Sequence, residues 1–310
     1  MSFDPLAQEK VSRSSTRYDI EADWILMSSC TFRCKYCFWE ESALAAKISP
    51  PADVDQLCSF FDSSGLTWLL HLTGGEPFVY PNFIKLCQLL VRKHYISINT
   101  NADSRRVNVF ADAVNPERVD FINCGAHIQQ RQERNSAERF ISNFLTLKSA
   151  GFDVFASCVM YPEVFKEFSE IWTWYMERGV PLIPKALQGQ YSGGNYPAAY
   201  TSTERACFTE YSRRAAGAYS SQMARRSEPP TIDPLMDHKL FLDGLPDYRG
   251  QPCHAGMRFV RIRENGDIRR CGPADTIGNV VSGWFERRSG PSTCTEIECP
   301  YFCEKYHVET

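Results

Sequence analysis

The stretch ADWILMSSCTFRCKYCFWE, residues 22–40, passes from an apolar segment into a loop that contains Cys30, Cys34 and Cys37. The apolar run predicts a buried strand, so the three cysteines follow the carboxyl end of that strand. A structural zinc site needs four ligands in a closed tetrahedron, and this loop offers only three. Three thiolates suit instead a [4Fe–4S] cluster whose fourth iron stays open to another ligand. A zinc site that borrows a distant fourth ligand is the alternative.

Strand-like apolar runs alternate with amphipathic helical segments from residue 22 to residue 187. This repetition predicts an α/β fold in which helices cover a parallel sheet. Six units suit a partial (β/α)6 barrel of the TIM type, and a doubly wound sheet is the alternative. The predicted strands are Trp24–Ser29, Thr67–Thr73, Tyr95–Asn99, Val119–Cys124, Val154–Tyr161 and Val180–Pro184.

Polar and glycine residues follow the second and third predicted strands. Gly74, Gly75 and Glu76 end the second strand, and Asn101 lies just after the third. In both candidate folds ligands gather at the carboxyl ends of the strands, so these residues should meet the cysteine loop at one mouth. Glycines let a backbone approach a ligand closely, and a carboxylate such as Glu76 can pair with an ammonium group.

The composition excludes two classes of partner. A formal charge of −3 gives no basic surface for nucleic acid. No apolar run reaches the roughly 18 residues of a membrane helix, and the N-terminus MSFDPLAQEK lacks an apolar signal segment, so we expect a cytoplasmic protein without a membrane partner. An odd total of 13 cysteines, grouped toward the two ends of the chain, favours metal sites over disulfides.

A second group of cysteines lies near the C-terminus. Segments 258–263 and 268–271 flank Glu264-Asn265-Gly266-Asp267, and Asn-Gly suits a tight hairpin turn. The hairpin would bring Cys271 opposite about Val260, close to Cys253. We therefore predict a second metal centre, with a zinc site as the alternative because four thiolates also suit zinc. The five cysteines of this group are Cys253, Cys271, Cys294, Cys299 and Cys303.

These features divide the chain into four predicted parts. Residues 1–21 form an N-terminal segment, and residues 22–187 form the partial barrel. Residues 188–249 form a connector, with a Gly- and Tyr-rich lid followed by a helix. Residues 250–310 form a small Cys-rich domain that contains the β-hairpin.

The N-terminal motif, Cys30-x3-Cys34-x2-Cys37 with Tyr36 before the last cysteine and GGEP at 74–77, resembles the radical S-adenosylmethionine (SAM) superfamily. The resemblance covers residues 22–187 and implies a partial (β/α)6 barrel. It implies a [4Fe–4S] cluster on the three cysteines, with the amino and carboxylate groups of SAM on the open iron. It places the methionine amine at Gly74, Gly75 and Glu76, the adenine near Tyr36, and Asn101 at the cofactor, although Ala102 stands where the family often has glycine.

The resemblance also implies a reaction. One electron, from a flavodoxin- or ferredoxin-type donor, cleaves SAM to a 5′-deoxyadenosyl radical that abstracts hydrogen from a substrate. Cys124 and Cys158, on the fourth and fifth predicted strands, are candidate hydrogen donors to the substrate radical, and buried core positions are the alternative for both.

The C-terminal group resembles the SPASM and twitch extensions of the same superfamily, through Cys253, Gly266 and Cys271. These extensions imply an auxiliary [4Fe–4S] cluster that relays electrons, and the shorter, single-cluster form fits the number of cysteines. Four of the five cysteines would bind it. Cys253, Cys271 and Cys303 are the first choices, with Cys299 ahead of Cys294.

The sequence alone does not identify the substrate. Auxiliary clusters accompany dehydrogenation, epimerisation and bond formation. About 21 residues precede the first strand, too few for a peptide-binding domain, so we expect a small-molecule, sugar or natural-product substrate. Modification of a ribosomal peptide is the alternative. An electron carrier or a zinc-stabilised binding protein would leave GGEP and the strand–helix repetition without a purpose.

Overall fold

The computed structural model describes residues 17–226, 232–235, 238, 242, 247–272 and 274–296. Strands and helices alternate up to residue 186, and each predicted strand overlaps an observed one. The strands are β1 (Ile20–Met27), β2 (Trp68–Gly74), β3 (Tyr95–Thr100), β4 (Val119–Gly125), β5 (Val154–Met160) and β6 (Leu182–Ala186). The helices are α1 (Glu41–Leu44), α2 (Val54–Ser63), α3 (Phe83–Leu90), α4 (Arg106–Ala113), α5 (Ile128–Arg134), α6 (Ala137–Ser149), α7 (Pro162–Phe165) and α8 (Phe168–Glu177), with 3₁₀ turns at Pro77–Val79 and Pro116–Arg118.

The chain continues with a short hairpin, two helices and further strands. Thr201 and Glu204 form a capping box that starts the first of these helices, because each side chain bonds the backbone N–H of the other residue. No helix in the described part of the chain is long and apolar enough to cross a membrane. These elements are β7 (Gly189–Tyr191), β8 (Gly194–Tyr196), α9 (Ser202–Ala218), α10 (Ser220–Met223), β9 (Pro252–Cys253), β10 (Phe259–Ile262), β11 (Asp267–Arg269), β12 (Thr276–Asn279), β13 (Trp284–Phe285) and β14 (Ser292–Thr293).

One mixed sheet organises the molecule, in the order β13-β12-β11-β10-β1-β2-β3-β4-β5-β6. Strands β1 to β6 are all parallel, and helices form the connections between them. This is the predicted α/β architecture with sequential (β/α) units. Because the strands are parallel, their carboxyl ends share one edge of the sheet, where the motif residues lie.

Alternation of side chains gives the sheet two faces. On the helix face, residues such as Leu70 and Ile122 pack with the helices in the main core. On the inner face, Phe121 and Ile183 pack with the end of α9 and with Leu235 of the connector. Full burial of side chains of this size stabilises the fold by about 1.5–3 kcal/mol each, so the helix-face core holds the strand–helix units together.

The predicted C-terminal hairpin is present and joins the same sheet. Arg269 of β11 pairs with Arg261 of β10, within one residue of the predicted register. Gly266 has φ 85° in the turn, a conformation that glycine adopts without strain. β10 then pairs in parallel with β1, so the C-terminal hairpin extends the sheet at the first strand.

Tyr219 links β5 to the residue that precedes β6 on the inner face, and its replacement by Phe tests that link. Its hydroxyl accepts a hydrogen bond from the N–H of Ala156 (3.1 Å) and donates one to the carbonyl of Pro181 (2.7 Å). Tyr219→Phe should lower the free energy of unfolding by about 2 kcal/mol, because buried backbone groups lose their partner. Urea denaturation followed by circular dichroism measures this loss.

Tyr211→Phe is the matched control. Tyr211 lies on the preceding helix and contacts the Phe168 and Trp172 rings. Its hydroxyl makes no hydrogen bond to any described residue, so the change should cost less than about 0.5 kcal/mol. Equal losses for both variants would contradict a bridging role for the Tyr219 hydroxyl.

Candidate active site

The three N-terminal cysteines lie together on the loop between β1 and α1. The N–H of Cys37 donates to the carbonyl of Cys34 (2.9 Å), and the N–H of Cys30 donates to Leu44 (3.0 Å), so the loop closes on itself. The thiols are half-buried, form no disulfide, and influence one another electrostatically. Burial raises the pKa of the Cys34 thiol to about 12 and also raises those of Cys30 and Cys37. Metal ligation here must therefore displace protons.

The donor set of this loop is purely thiol. No three Cys, His, Asp or Glu side chains among the described residues are spaced as ligands of a single metal ion. In a [4Fe–4S] cluster each cysteine binds a different iron, so the cysteine ligands of a cluster need not be spaced as the ligands of one metal ion are. Three adjacent thiols on one loop therefore fit a cluster with one iron left open.

The glycine pair after β2 packs directly on the backbone that leads into the cysteine loop. The N–H of Gly75 donates to Met27 (2.7 Å), and the N–H of Glu76 donates to Ser29 (2.9 Å). A Cβ on Gly74 would lie 2.1 Å from the carbonyl oxygen of Met27, and one on Gly75 would lie 1.9 Å from that of Ser29. The sequence suggested that these glycines admit a ligand; in the structure, the neighbouring backbone already excludes a side chain at both positions.

Glu76 is buried between the ends of β2 and β3. Its carboxylate accepts hydrogen bonds from the hydroxyl of Thr100 (2.7 Å) and from the N–H groups of Asn101 (2.7 Å) and Phe78 (3.0 Å). Burial raises the pKa of the Glu76 carboxyl, although these bonds act in the opposite direction. A carboxylate has about four acceptor positions, so one remains for a further donor.

Asn101 connects the end of β3 to the cysteine loop. Its side-chain amide donates to the hydroxyl of Thr31 (3.0 Å), and its side-chain oxygen accepts from the N–H of Asp103 (2.9 Å). The next residue, Ala102, has φ 51°, a conformation that glycine adopts more easily. Asn101 thus braces the loop, and its side chain is already occupied within the protein.

Tyr36 and His127 cover the cysteine loop from the side of β4. The Tyr36 hydroxyl and Nδ1 of His127 lie 2.9 Å apart, and that nitrogen lies 3.4 Å from Sγ of Cys34. The Tyr36 ring also contacts Tyr161 at 5.0 Å. Burial and the charge of Arg131 lower the pKa of His127 to about 3, so the imidazole is neutral.

Arg131 is a site residue for which the sequence carries no motif. Its guanidinium is buried and donates to the carbonyls of Asn101 and Gly125, and it stacks on the rings of Phe32 and Phe140. Burial lowers its pKa to about 10. One cation thus ties the ends of β3 and β4 to the cysteine loop. A lone arginine in QQRQER gives no sign of this in the sequence.

Comparison with known proteins identifies the domain. The family model of the radical SAM superfamily matches residues 24–172. This part of the chain belongs to the radical SAM superfamily. Membership implies SAM and a [4Fe–4S] cluster as cofactors.

Curated relatives of the radical SAM domain cover little of the chain. The GTP 3′,8-cyclases of Brucella ovis and Brucella canis are each 33% identical in an alignment of 114 positions that covers 30% of this chain and 33% of the cyclase. The match thus spans about a third of the length of these relatives.

Solved structures match over a longer span. The native anSMEcpe with bound AdoMet and Cp18Cys peptide is 15% identical, with a TM-score of 0.56, over 84% of this chain and 78% of that chain. Streptococcus suis SuiB bound to S-adenosylmethionine is 15% identical, with a TM-score of 0.52, over 86% and 64%. At this identity the likeness shows a shared fold.

Cys124 and Cys158, the predicted hydrogen donors, lie in the helix-face core of the radical SAM domain. Both side chains are fully buried there among the residues that pack the helices on the sheet. Their strand neighbours Asn123 and Ser157 occupy the inner face, because side chains alternate. This placement favours the core interpretation, since both thiols pack among the apolar residues between the sheet and its helices.

The inner face carries polar groups near the carboxyl edge. Asn123 donates a hydrogen bond to Asn99 (2.9 Å) between β4 and β3. Lys185 projects from β6 on the same face, and burial lowers the pKa of its ammonium group to about 8. Farther from the edge, Leu235 and the buried Arg226 of the connector cover the sheet. The connector also reaches Lys185, since the charge of its Asp233 acts on that ammonium group.

Three of the C-terminal cysteines come together on the side of the sheet where the parallel strands begin, opposite their carboxyl ends. Cys253, Cys271 and Cys294 are buried in one small cluster with Ala255. β14 pairs with β9 and brings Cys294 beside Cys253, although the sequence ranked Cys294 last. Cys253 precedes β10, and Cys271 follows β11, which runs antiparallel to β10. Because β10 is parallel to β1, the cluster lies at the amino end of β1. Cys299 and Cys303 lie outside the described residues.

Gly75→Ala tests whether the glycine pair holds the cysteine loop in place. The new Cβ would meet the backbone oxygen of Ser29 at 1.9 Å, so the loop must shift. We expect a loss of about 3 kcal/mol in the free energy of unfolding and a lower iron content after reconstitution. Gly217→Ala is the control, because that helical glycine has open space around it and alanine should stabilise the helix by up to about 1 kcal/mol. A Gly75→Ala protein with wild-type stability and iron content would contradict the packing role.

Proposed function

We propose that this chain is a radical SAM enzyme that binds a [4Fe–4S] cluster through Cys30, Cys34 and Cys37. It would cleave SAM reductively and abstract hydrogen from a substrate held on the inner face. The observation that carries the proposal is the convergence of three thiols with the buried Glu76 carboxylate, whose charge acts on the Cys30 thiol. When bound, the cluster and SAM supply a 5′-deoxyadenosyl radical.

The residues around the cluster have distinct proposed roles. The three cysteines leave one iron without a protein ligand. Glu76 offers its remaining acceptor position to the ammonium group of SAM, while Thr100 and two backbone N–H groups hold its orientation. The ring of Tyr36 is proposed to face the adenine. A flavodoxin- or ferredoxin-type protein is the proposed electron donor.

The proposed substrate is a small polar molecule, such as a sugar or a natural-product intermediate. Connector residues already cover the inner face of β4 to β6 away from the carboxyl edge. Asn99, Asn123 and Lys185 lie on the inner face toward the carboxyl ends of their strands, and their side chains can bind hydroxyl, carbonyl or anionic groups. A compact polar ligand matches these groups.

Modification of a peptide is the second candidate. Both fold neighbours named above have been solved with peptides, anSMEcpe with Cp18Cys peptide and SuiB with its precursor peptide SuiA. A shared fold over more than four-fifths of this chain keeps this substrate class open to test.

The C-terminal cysteines are proposed to hold an auxiliary [4Fe–4S] cluster. Cys253, Cys271 and Cys294 supply three thiols, and Cys299 or Cys303 would supply the fourth. β1 separates this group from the radical SAM loop by eight residues, roughly 25 Å of strand. The substrate face lies between the two groups, which suits an auxiliary cluster that exchanges an electron with a substrate radical. Zinc is the alternative metal.

SAM cleavage is the first test of the proposal. We expect the protein, reconstituted without oxygen and mixed with SAM and dithionite, to form 5′-deoxyadenosine. Cys30→Ala, Cys34→Ala and Cys37→Ala together should abolish this product, because three irons lose their ligands. Cys207→Ala, at a half-buried helical cysteine outside both groups, should retain wild-type cleavage. A colourless wild-type protein that holds zinc and forms no 5′-deoxyadenosine would reject the proposal.

The C-terminal variants separate the two metal sites. The wild-type protein should hold about eight irons, and Cys253→Ala with Cys271→Ala should hold about four, measured by iron and sulfide analysis. These variants should keep part of the SAM cleavage. Cys294→Ala should lose as much iron as Cys253→Ala if Cys294 is a ligand. Complete loss of SAM cleavage in the C-terminal variants would contradict separate roles for the two sites.

A further inference from the structure

Three side chains meet at one corner of the cysteine loop. Nδ1 of His127 lies 2.9 Å from the Tyr36 hydroxyl and 3.4 Å from the sulfur of Cys34. Burial raises the pKa of the Cys34 thiol, and a hydrogen bond from Tyr36 acts in the opposite direction. A cysteine sulfur, a phenol and an imidazole thus lie together, with the imidazole nitrogen in contact with both of the other groups.

Direct donation from Nδ1–H of His127 to a Cys34 thiolate, at 3.4 Å, would use the one proton of that nitrogen and leave the nearer phenol oxygen of Tyr36, at 2.9 Å, without it. A thiolate can only accept hydrogen bonds, and a phenol has one proton to donate. If Tyr36 donated to His127, the sulfur would receive nothing from the phenol. If Tyr36 donates to the sulfur, Nδ1–H of His127 donates to the phenol oxygen, and both protons have acceptors. This last arrangement makes one more bond and directs it at a negative charge, where hydrogen bonds are strongest.

The position of His127 is tightly defined by its surroundings. Its backbone has φ 43°, and its ring lies within 14° of parallel to the Tyr36 ring and edge-on to Phe32. Nε2 occupies the space beside Gly125, where a Cβ would come within 2.3 Å of it. Gly125 faces the inner side of the sheet, like Asn123 two residues earlier. Nε2 is therefore directed to the inner face, and no described residue forms a hydrogen bond with it.

We infer that His127 and Tyr36 form a hydrogen-bond relay onto the sulfur of Cys34 that raises the reduction potential of the cluster. The inference rests on the proposed function, because it takes Cys34 as a cluster ligand. A donor to a cluster sulfur stabilises the reduced, more negative state, so it makes reduction easier. Tyr36 and His127 are positioning residues in this role, since they act through the cysteine.

The relay also defines what His127 presents to the substrate side. With the proton on Nδ1, Nε2 carries a lone pair and accepts hydrogen bonds. A ligand hydroxyl or amine on the inner face would donate to Nε2, and polarisation along the relay would strengthen the bond to sulfur. Occupancy of the inner face would then make the cluster easier to reduce.

Redox titration of the full-length, reconstituted protein tests the relay. The N-terminal cluster is identified as the electron paramagnetic resonance signal that the triple variant of Cys30, Cys34 and Cys37 lacks. Tyr36→Phe removes the proton at the sulfur and should move the midpoint potential to more negative values. His127→Phe should move it in the same direction by a smaller amount. Tyr161→Phe removes a hydroxyl from the neighbouring ring, 5.0 Å from Tyr36, and should leave the potential unchanged.

A second replacement reverses the expected sign and keeps the ring. Substitution of Tyr36 by 3-fluorotyrosine makes the phenol a stronger donor and should move the potential to more positive values. An unchanged potential in both Tyr36 variants would overturn the relay, even if SAM is still cleaved. Absence of the N-terminal cluster from the wild-type protein would instead defeat the proposed function, so the two failures are distinguishable.

Discussion

The close contact between the glycine pair and the end of β1 is the constraint on which the site depends. Gly75 and Glu76 hydrogen-bond to Met27 and Ser29, and the backbones are too close for any side chain at positions 74 or 75. This contact joins two neighbouring parallel strands just where the cysteine loop begins. The loop therefore starts from a fixed point, although it has no regular secondary structure of its own.

Buried polar groups extend that contact across the carboxyl edge. Glu76 bonds the end of β3, and Asn101 bonds the cysteine loop. Arg131 then bonds the ends of β3 and β4 and stacks on Phe32 of the loop. Buried polar groups cost free energy unless they are satisfied, so each member holds its neighbours in one arrangement. The result is a rigid edge in which the thiols, Tyr36 and His127 keep fixed relative positions.

The sheet also relates the two cysteine groups. β10 pairs with β1, so the first strand leads to one group at its carboxyl end and adjoins the other at its amino end. A substrate on the inner face would lie between them. In the proposed function, one group would start the radical reaction and the other would exchange an electron when that reaction ends.

The sequence by itself determined the α/β architecture, the six strands and the loop of three cysteines. These follow from local patterns, because apolar periodicity indicates the strands and the close spacing of the cysteines is visible directly in the sequence. The Asn-Gly turn likewise located the C-terminal hairpin, because turn geometry depends on adjacent residues.

Only the tertiary structure decided which residues meet. Arg131 reaches the site from helix α5, and Cys294 is brought beside Cys253 by a short strand pair, so neither has a local motif. Cys124 and Cys158 were assigned to the correct strands, but a shift of one residue changes the face of a sheet, and the predicted strands did not define that face. His127 has a left-handed backbone and its ring lies over Gly125, a placement that no local sequence motif indicates. Local pattern thus specifies the elements, whereas contacts between residues far apart in the chain specify the site.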